Sequence, residues 1–267
     1  MTQLPNPVLA LASTERLLVC CDFDGTLSAI VDDPAAATPV QGAIQALESL
    51  ASTPATWVAI VSGRALIDLT RLTPLPALVQ LVGSHGAEFE VGSIVAFGPR
   101  QATLLDVVAE ACSRIVQGVS GVLIERKPAS VAVHVRRVDG LSAGRIVSEI
   151  VAGPGSLPGV HVLPGKGVIE LAAMSQGKGD AVDVLRQRWS ATAVLFVGDD
   201  LTDEDAFAVL LPNDVGIKVG SEPSAAGLHV SDPQAVVVLL ATLAQSRSAA
   251  IGALPRSRAA LAPPNAG

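Results

Sequence analysis

Tyrosine is absent from this chain, and the other aromatics amount to five Phe and two Trp among 267 residues. The apolar fraction still reaches 49%, so the core must be assembled from Ala, Val and Leu. Cysteine is as scarce. Of the three, Cys20 and Cys21 are adjacent and Cys112 stands alone. None has the spacing of a metal knuckle or a disulfide framework, which points to small core residues in a reducing compartment. Basic residues are outnumbered, 18 Lys and Arg against 25 Asp and Glu, for a net charge of −7. That argues against a general nucleic-acid binder, which needs a basic patch. It does not exclude an anionic substrate, because a metal and a few lysines can reverse the field locally. No basic segment followed by an apolar run opens the chain. No run of about 18 uncharged apolar residues suggests a membrane span. The expectation is a soluble, cytoplasmic monomer with no nucleic-acid or membrane partner.

What the chain does have is organised around Leu17-Leu18-Val19-Cys20-Cys21-Asp22-Phe23-Asp24-Gly25-Thr26-Leu27. A short continuous apolar run reads as a strand buried on both faces, as in a parallel sheet. Gly25 and Thr26 end it. Residues two apart on a strand share a face, so Asp22 and Asp24 are expected to point into one small volume. Ligands of open α/β sheets bind beyond the carboxyl ends of the strands. Two close carboxylates repel unless a cation or proton lies between them, and Mg²⁺ suits a site of carboxylates plus substrate phosphate. Taken alone, the pair could equally cap a turn.

Along the chain, residues 1–15 read as an arm or short helix. A helix is predicted over Pro39–Ala51 with Pro39 in its first turn, then a strand Thr56–Val61 ending in Ser62-Gly63-Arg64, a helix Ala65–Leu72, and a strand Leu78–Val82 ending in Gly83-Ser84-His85-Gly86-Ala87-Glu88. This alternation predicts a parallel sheet. Phe89–Val91 and Ile94–Phe97 suggest a hairpin. The rhythm then changes. A helix (Gln101–Val119), two strands (Val122–Lys127, Ser130–Val135), a helix (Ser142–Ala152) and two strands (Val160–Leu163, Val168–Leu171) describe a small α+β insertion with an antiparallel sheet. The first pattern returns with a helix Gly179–Arg188, a strand Ala193–Val197 running into Gly198-Asp199-Asp200-Leu201-Thr202-Asp203-Glu204-Asp205, a helix Glu204–Leu210, a strand Val215–Val219 and a helix Pro233–Ala244. The division expected is a discontinuous catalytic core (1–100 and 174–244), a cap (101–173) and a disordered tail (245–267).

Four groups thus fall at strand ends of one sheet: Asp22 with Asp24, Ser62, Lys178, and the acidic run Asp199–Asp205. Singly, Ser62 reads as a helix cap, Lys178 as a solvated lysine and the acidic run as a helix start. Together, in this order, the motifs resemble the haloacid dehalogenase (HAD) superfamily. Ser62-Gly63-Arg64, the Gly83–Glu88 segment, Glu125-Arg126-Lys127-Pro128, Val131–His134, Gly165–Leu171, Gly177-Lys178-Gly179 and Gly198–Glu204 resemble, more narrowly, its trehalose-6-phosphate phosphatases.

The resemblance implies a HAD-like doubly wound α/β core with an inserted α+β cap. It also implies Mg²⁺-dependent hydrolysis of trehalose 6-phosphate through an aspartyl phosphate, the last step of trehalose biosynthesis. By it, Asp22 is the nucleophile, Asp24 the general acid, and Ser62 and Lys178 hold the phosphoryl group. Asp22, the Asp24 carbonyl and Asp199 hold the metal, with Asp200 and Asp203 around it. Thr26 fixes the turn. Glu125, Lys127 and Glu170 match sugar-contacting positions, although the first two also fit the polar face of an amphipathic strand. His85 and Glu88 are candidates to face the sugar; Arg64 could join them or brace a loop, and His134 reads as a packed strand residue. Hinges are expected near Pro99–Thr103 and Ala172–Gly177. Rival readings are a phosphatase for sucrose 6-phosphate or a monosaccharide phosphate, a phosphomutase, and a silent sugar-phosphate sensor.

Overall fold

The computed structural model describes residues 4–73, 78–89, 99–173 and 177–252. In chain order the elements are α1 (Asn6–Leu11), β1 (Leu17–Cys21), α2 (Ala43–Ala51), β2 (Thr56–Val61), α3 (Leu66–Leu72), β3 (Val79–Gly83), β4 (Glu88–Phe89), α4 (Pro99–Ile115), β5 (Leu123–Arg126), β6 (Ser130–His134), α5 (Gly140–Ala152), β7 (His161–Gly165), β8 (Val168–Ala172), α6 (Lys178–Trp189), β9 (Ala193–Gly198), α7 (Glu204–Ala208), β10 (Val215–Val219), β11 (Leu228–Val230) and α8 (Pro233–Gly252).

Two sheets result. The larger has the order β11-β10-β9-β1-β2-β3-β4 and is parallel except at β3–β4. β1 is buried along its whole length, as its unbroken apolar run requires. Leu17, Val19 and Cys21 face a core with Val8, Leu47, Leu50, Val236 and Leu240 from α1, α2 and α8. Leu18 and Cys20 face a second core with Val182, Leu185 and Phe207 from α6 and α7. Helices therefore cover both faces, the doubly wound arrangement. The chain builds outward from β1 through β2 and β3, then returns to build β9, β10 and β11 on the other side. The strand order thus reverses at β1, the place where such sheets form a crevice at their carboxyl ends.

The smaller sheet, β5-β6-β8-β7, is wholly antiparallel. Its apolar face (Val131, Val133, Ile169, Leu171) packs on Leu105, Val108 and Cys112 of α4 and on Ile146 and Ile150 of α5. This is the α+β unit expected from the change of rhythm.

Several local expectations need correction. α2 begins at Ala43 behind Gly42, whose φ of +89° breaks the helix, and Pro39 instead bridges to Ser28. β11 is an unforeseen short edge strand. Residues 99–103, expected as a hinge, form the first turn of α4. The proposed hairpin falls mainly on residues 90–98, and the second hinge on 174–176, outside the described residues. The tail expected from residue 245 is helical as far as Gly252. The reason is Arg247, which is fully buried. Its guanidinium donates to Thr56 Oγ1 (2.6 Å), Ala55 O (2.8 Å), Leu11 O (3.1 Å) and Thr14 O (2.8 Å). A pattern search for apolar residues passes over such an anchor. α8 is long and apolar enough by composition to cross a membrane; in the fold it contributes Val236, Val237, Leu239, Leu240 and Leu243 to the core.

Candidate active site

β1 delivers Asp22 to the crevice, where its backbone N–H bonds Val197 O of β9 at 2.9 Å. The chain then turns back on itself, with Leu27 and Ser28 N–H groups both donating to Phe23 O at 2.9 Å. Gly25 sits at φ +79°, and a Cβ there would come within 2.2 Å of the Asp199 carboxylate. Glycine is therefore required both by conformation and by the close approach of a second acid. Asp22 and Asp24 part company at this turn. Asp22 is 4% exposed and takes Lys178 Nζ at 2.8 Å. Asp24 is gripped by Arg64, with Nε on Oδ2 and Nη2 on Oδ1, each at 2.6 Å. Both line the same cleft, so one volume receives them, in different electrostatic settings.

Beneath the cleft, Asp22, Asp199 and Asp203 each offer an oxygen within 4.8 Å of the others. Lys178, at the start of α6, is buried and bonds both Asp22 and Asp203, the latter at 2.7 Å. Burial penalises its charge, but Asp203 and Asp22 outweigh that and hold its pKa above the ordinary lysine value. Burial pushes the Asp22 carboxyl up; Lys178 opposes this, while Asp203 and Asp199 add to it. Asp199 is raised too, by burial first, with Lys166 opposing and Asp203 adding to it. Its Oδ1 is buried with no hydrogen-bond partner among the described residues. A crowded, dry set of carboxylate oxygens with one lone pair orphaned fits a hard divalent cation.

Asp203 differs from its neighbours. Its Oδ2 accepts the N–H groups of Asp199 and Asp200, each at 2.9 Å, and Oδ1 accepts Lys178. Gly198 makes this possible, since a Cβ there would meet Asp203 Cγ at 2.2 Å. Asp200 turns its carboxylate to the N–H of Leu201 at 2.8 Å and is outside the triad. Ser62, at the end of β2, is buried and its Oγ accepts the N–H of Arg64 at 3.2 Å. Thr26 is buried, but its hydroxyl has no hydrogen-bond partner among the described residues, so the turn is held by main-chain bonds instead.

The roof of the cleft is the smaller sheet. Together they enclose about 810 Å³ lined by Asp22, Asp24, Ser62, Arg64, His85, Glu125, Lys127, His134, Lys166, Glu170, Lys178 and Asp199, among others. Glu170 is nearly buried, and accepts Lys127 Nζ at 2.7 Å, Ser130 Oγ, and a 3.3 Å contact from His85 Nε2. Burial alone would raise its pKa; Lys127 and then His85 overcome this and hold it well below the usual carboxylate range. Lys127 also donates to Gly63 O at 2.6 Å, and Glu125 pairs with His134 at 2.9 Å. Ser84 and His85 both occupy left-handed backbone (φ +48° and +55°), a strained geometry of the kind found where function fixes a side chain. Glu88 is not a lining residue; its Oε2 takes Leu66 N–H at 3.1 Å and Ser84 Oγ at 2.6 Å and so braces the turn.

Two lysines escaped the sequence reading. Lys166, between β7 and β8, reaches across to Asp199 Oδ2 at 2.9 Å and Asp199 O at 3.1 Å. Its signal was the Gly-Lys-Gly turn on the hairpin. Lys218 on β10 is buried beneath the acidic loop. Its signal was a charge inside an otherwise apolar strand.

The chain is similar to several known proteins. A profile of the trehalose-phosphatase family matches residues 20–235. Trehalose-phosphate phosphatases of Mycobacterium ulcerans and Mycobacterium marinum are each 35% identical over 268 aligned residues, covering 93% of this chain and 68% of theirs. The C-terminal domain of trehalose-6-phosphate phosphatase from C. albicans superposes with a TM-score of 0.78 at 26% identity, over 92% of this chain and 99% of that one.

Proposed function

Because the chain belongs to the trehalose-phosphatase family, we propose that it hydrolyses trehalose 6-phosphate to trehalose and inorganic phosphate, using Mg²⁺. The observation that carries this reading is a single cleft with two unlike walls. Its floor holds a buried aspartate fixed by a lysine (Asp22–Lys178). Its roof presents Glu125, Lys127 and Glu170, carboxylates and an amine suited to sugar hydroxyls.

Asp22 is the nucleophile in this reading. Its carboxylate attacks phosphorus, the P–O bond to the sugar breaks, and an aspartyl phosphate remains. Asp24, once it has exchanged its Arg64 pair for a proton, gives that proton to the departing sugar oxygen, then takes one from the water that cleaves the acyl phosphate. Arg64 aims that carboxyl group. Lys178 favours the ionised form of Asp22 against its burial and offers positive charge to the phosphoryl oxygens, and Ser62 would bond one of them. Asp22, the Asp24 carbonyl and Asp199 would hold the cation, which offsets the repulsion between carboxylate and phosphate. Asp203, with both oxygens committed, holds the loop, and Asp200 caps it. Closure of the smaller sheet over the cleft keeps stray water from the acyl phosphate.

Substrate choice rests on the roof. A neutral disaccharide is recognised by fixed polar groups that are left unpaired by a poorer fit. His85 and Arg64 complete this wall on the core side. The reading places the enzyme in the cytoplasm as a monomer. Its three cysteines, all buried and unpaired, support a reducing compartment, and size-exclusion chromatography tests the monomer.

The decisive assay measures phosphate release with Mg²⁺ from trehalose 6-phosphate, sucrose 6-phosphate and glucose 6-phosphate, with Asp22→Asn as the blank. Release from the trehalose ester alone, lost in the variant, is the expected result. Equal release from all three would overturn the roles of Glu125, Lys127 and Glu170 while leaving Asp22 in place.

A further inference from the structure

Lys218 has no part in the chemistry above, yet it is a 3%-exposed lysine on β10, next to the edge strand of the larger sheet. Its neighbours on β10, Ile217 and Val219, face the core formed with α1, α2 and α8. Alternation sends Lys218 to the opposite face, where the β9–α7 loop folds over the strand ends. In the sheet it lies level with Gly198, the last residue before Asp199.

A buried ammonium ordinarily sits against a carboxylate, because desolvation is otherwise costly. Here the nearest one, Glu204 Oε1, is 3.7 Å away, and Glu204 is itself bonded to Ser224 Oγ and Ala225 N–H. The shorter contacts of Lys218 Nζ are to main-chain carbonyls, Asp199 O at 2.8 Å and Asp200 O at 3.3 Å. The N–H groups of the same two residues are held by Asp203 Oδ2, each at 2.9 Å. Asp199 and Asp200 are thus clamped on their donors from one side and on their acceptors from the other. The backbone is pinned at both points, and Lys166 adds a bond to Asp199 O at 3.1 Å and one to the Asp199 carboxylate, Oδ2, at 2.9 Å.

We propose that Lys218 is a positioning residue for the cation site, fixing by its carbonyl bonds the loop that presents Asp199 beside Asp22. It touches neither substrate nor cation. The inference rests on the reading of Asp22 and Asp199 as cation ligands, and its test separates the two.

Titration calorimetry with Mg²⁺ alone, and with Mn²⁺ alone, on the full chain gives the cation Kd without turnover. Partners that orient metal ligands typically change affinity about 10–100-fold when removed. Lys218→Met, which keeps the aliphatic stem and loses the donors, is expected to raise the Kd about tenfold or more. Phosphate release at saturating cation should recover to within a few-fold of the unmutated enzyme, a split that general destabilisation does not produce. A folded Lys218→Met chain that binds both cations as the unmutated one does would overturn the proposal, as would a loss of turnover that saturating cation leaves untouched. If Lys218→Met does not fold, Lys218→Leu, which also lacks a donor, is titrated, and an unchanged Kd again refutes the idea. Failure of both variants to fold would assign Lys218 to the fold and not to the cation. If the unmutated chain binds neither cation, the site reading itself fails.

Discussion

Replacing Lys127 by methionine would leave Glu170 ionised and buried with only Ser130 and His85 for company, and would strip Gly63 O of its donor. The two charges lie 2.7 Å apart with side chains 7% and 6% exposed. At an effective dielectric of ~20 their attraction is ~6 kcal/mol, but desolvation offsets much of it. Removing one partner of such a buried pair costs about 3–5 kcal/mol, whereas replacing both with apolar groups of similar volume is close to neutral. Lys127→Met and Glu170→Gln are each expected to lose about 3 kcal/mol. At roughly 2–4 °C per kcal/mol for a chain of this size, that lowers Tm by about 6–12 °C. The double variant Lys127→Met/Glu170→Gln should lose about 4 kcal/mol, well short of the sum of the singles, an interaction energy of about 2 kcal/mol or more.

Thermal and urea unfolding of the four proteins at pH 7 completes the cycle. A pH series adds a second check. The folded pKa of Glu170 lies below its unfolded value of 4.5, so its contribution is complete above that value and falls away as pH drops further. The stability gap between the unmutated chain and Glu170→Gln should therefore be widest at neutral pH and narrow below about pH 4.5. Additive single effects, or single losses under ~1 kcal/mol, would show that the ion pair is not what holds this part of the roof.

Other perturbations have equally definite outcomes. Gly198→Ala should displace Asp203, lowering stability by about 1–3 kcal/mol through overpacking and weakening Mg²⁺ binding in calorimetry; normal affinity would contradict the close approach described. Arg64→Gln should lower kcat by about tenfold or more with a smaller change in KM, because it releases the proposed general acid; steady-state kinetics reads the split. Chelation should abolish phosphate release, and restoring Mg²⁺ at about 100 times its Kd should add about 2.7 kcal/mol of stability, visible as a higher Tm.

The parts of the molecule that could be read from residues alone were those with an unbroken physical pattern. The apolar run Leu17–Cys21 could hardly be anything but a doubly covered strand, and the break in rhythm at α4 marked the antiparallel unit. Asp22 and Lys178 were legible because charged residues at strand and helix ends are conspicuous against apolar runs. The pairings that hold the neighbouring carboxylates and their loop were not. Arg64 grips Asp24 across 40 residues of sequence, Lys166 reaches Asp199 across 33, and Lys218 stands inside a strand where only apolar residues were counted. Glu88 and Asp200 show the same difficulty. A carboxylate near the site is equally able to brace a turn, and only the direction of its oxygens tells which.

The buried guanidinium of Arg247 has a practical consequence for anyone cutting this chain. A fragment ended at residue 244, where the apolar pattern stops, would retain nearly all the grease of α8 and still take the guanidinium away from the carbonyls of Leu11, Thr14 and Ala55. The same fragment extended to residue 252 keeps them satisfied. Eight residues that look like trimmings decide whether the first helix and the start of β2 are tied down, so the useful border of this domain is drawn by one cation rather than by hydrophobicity.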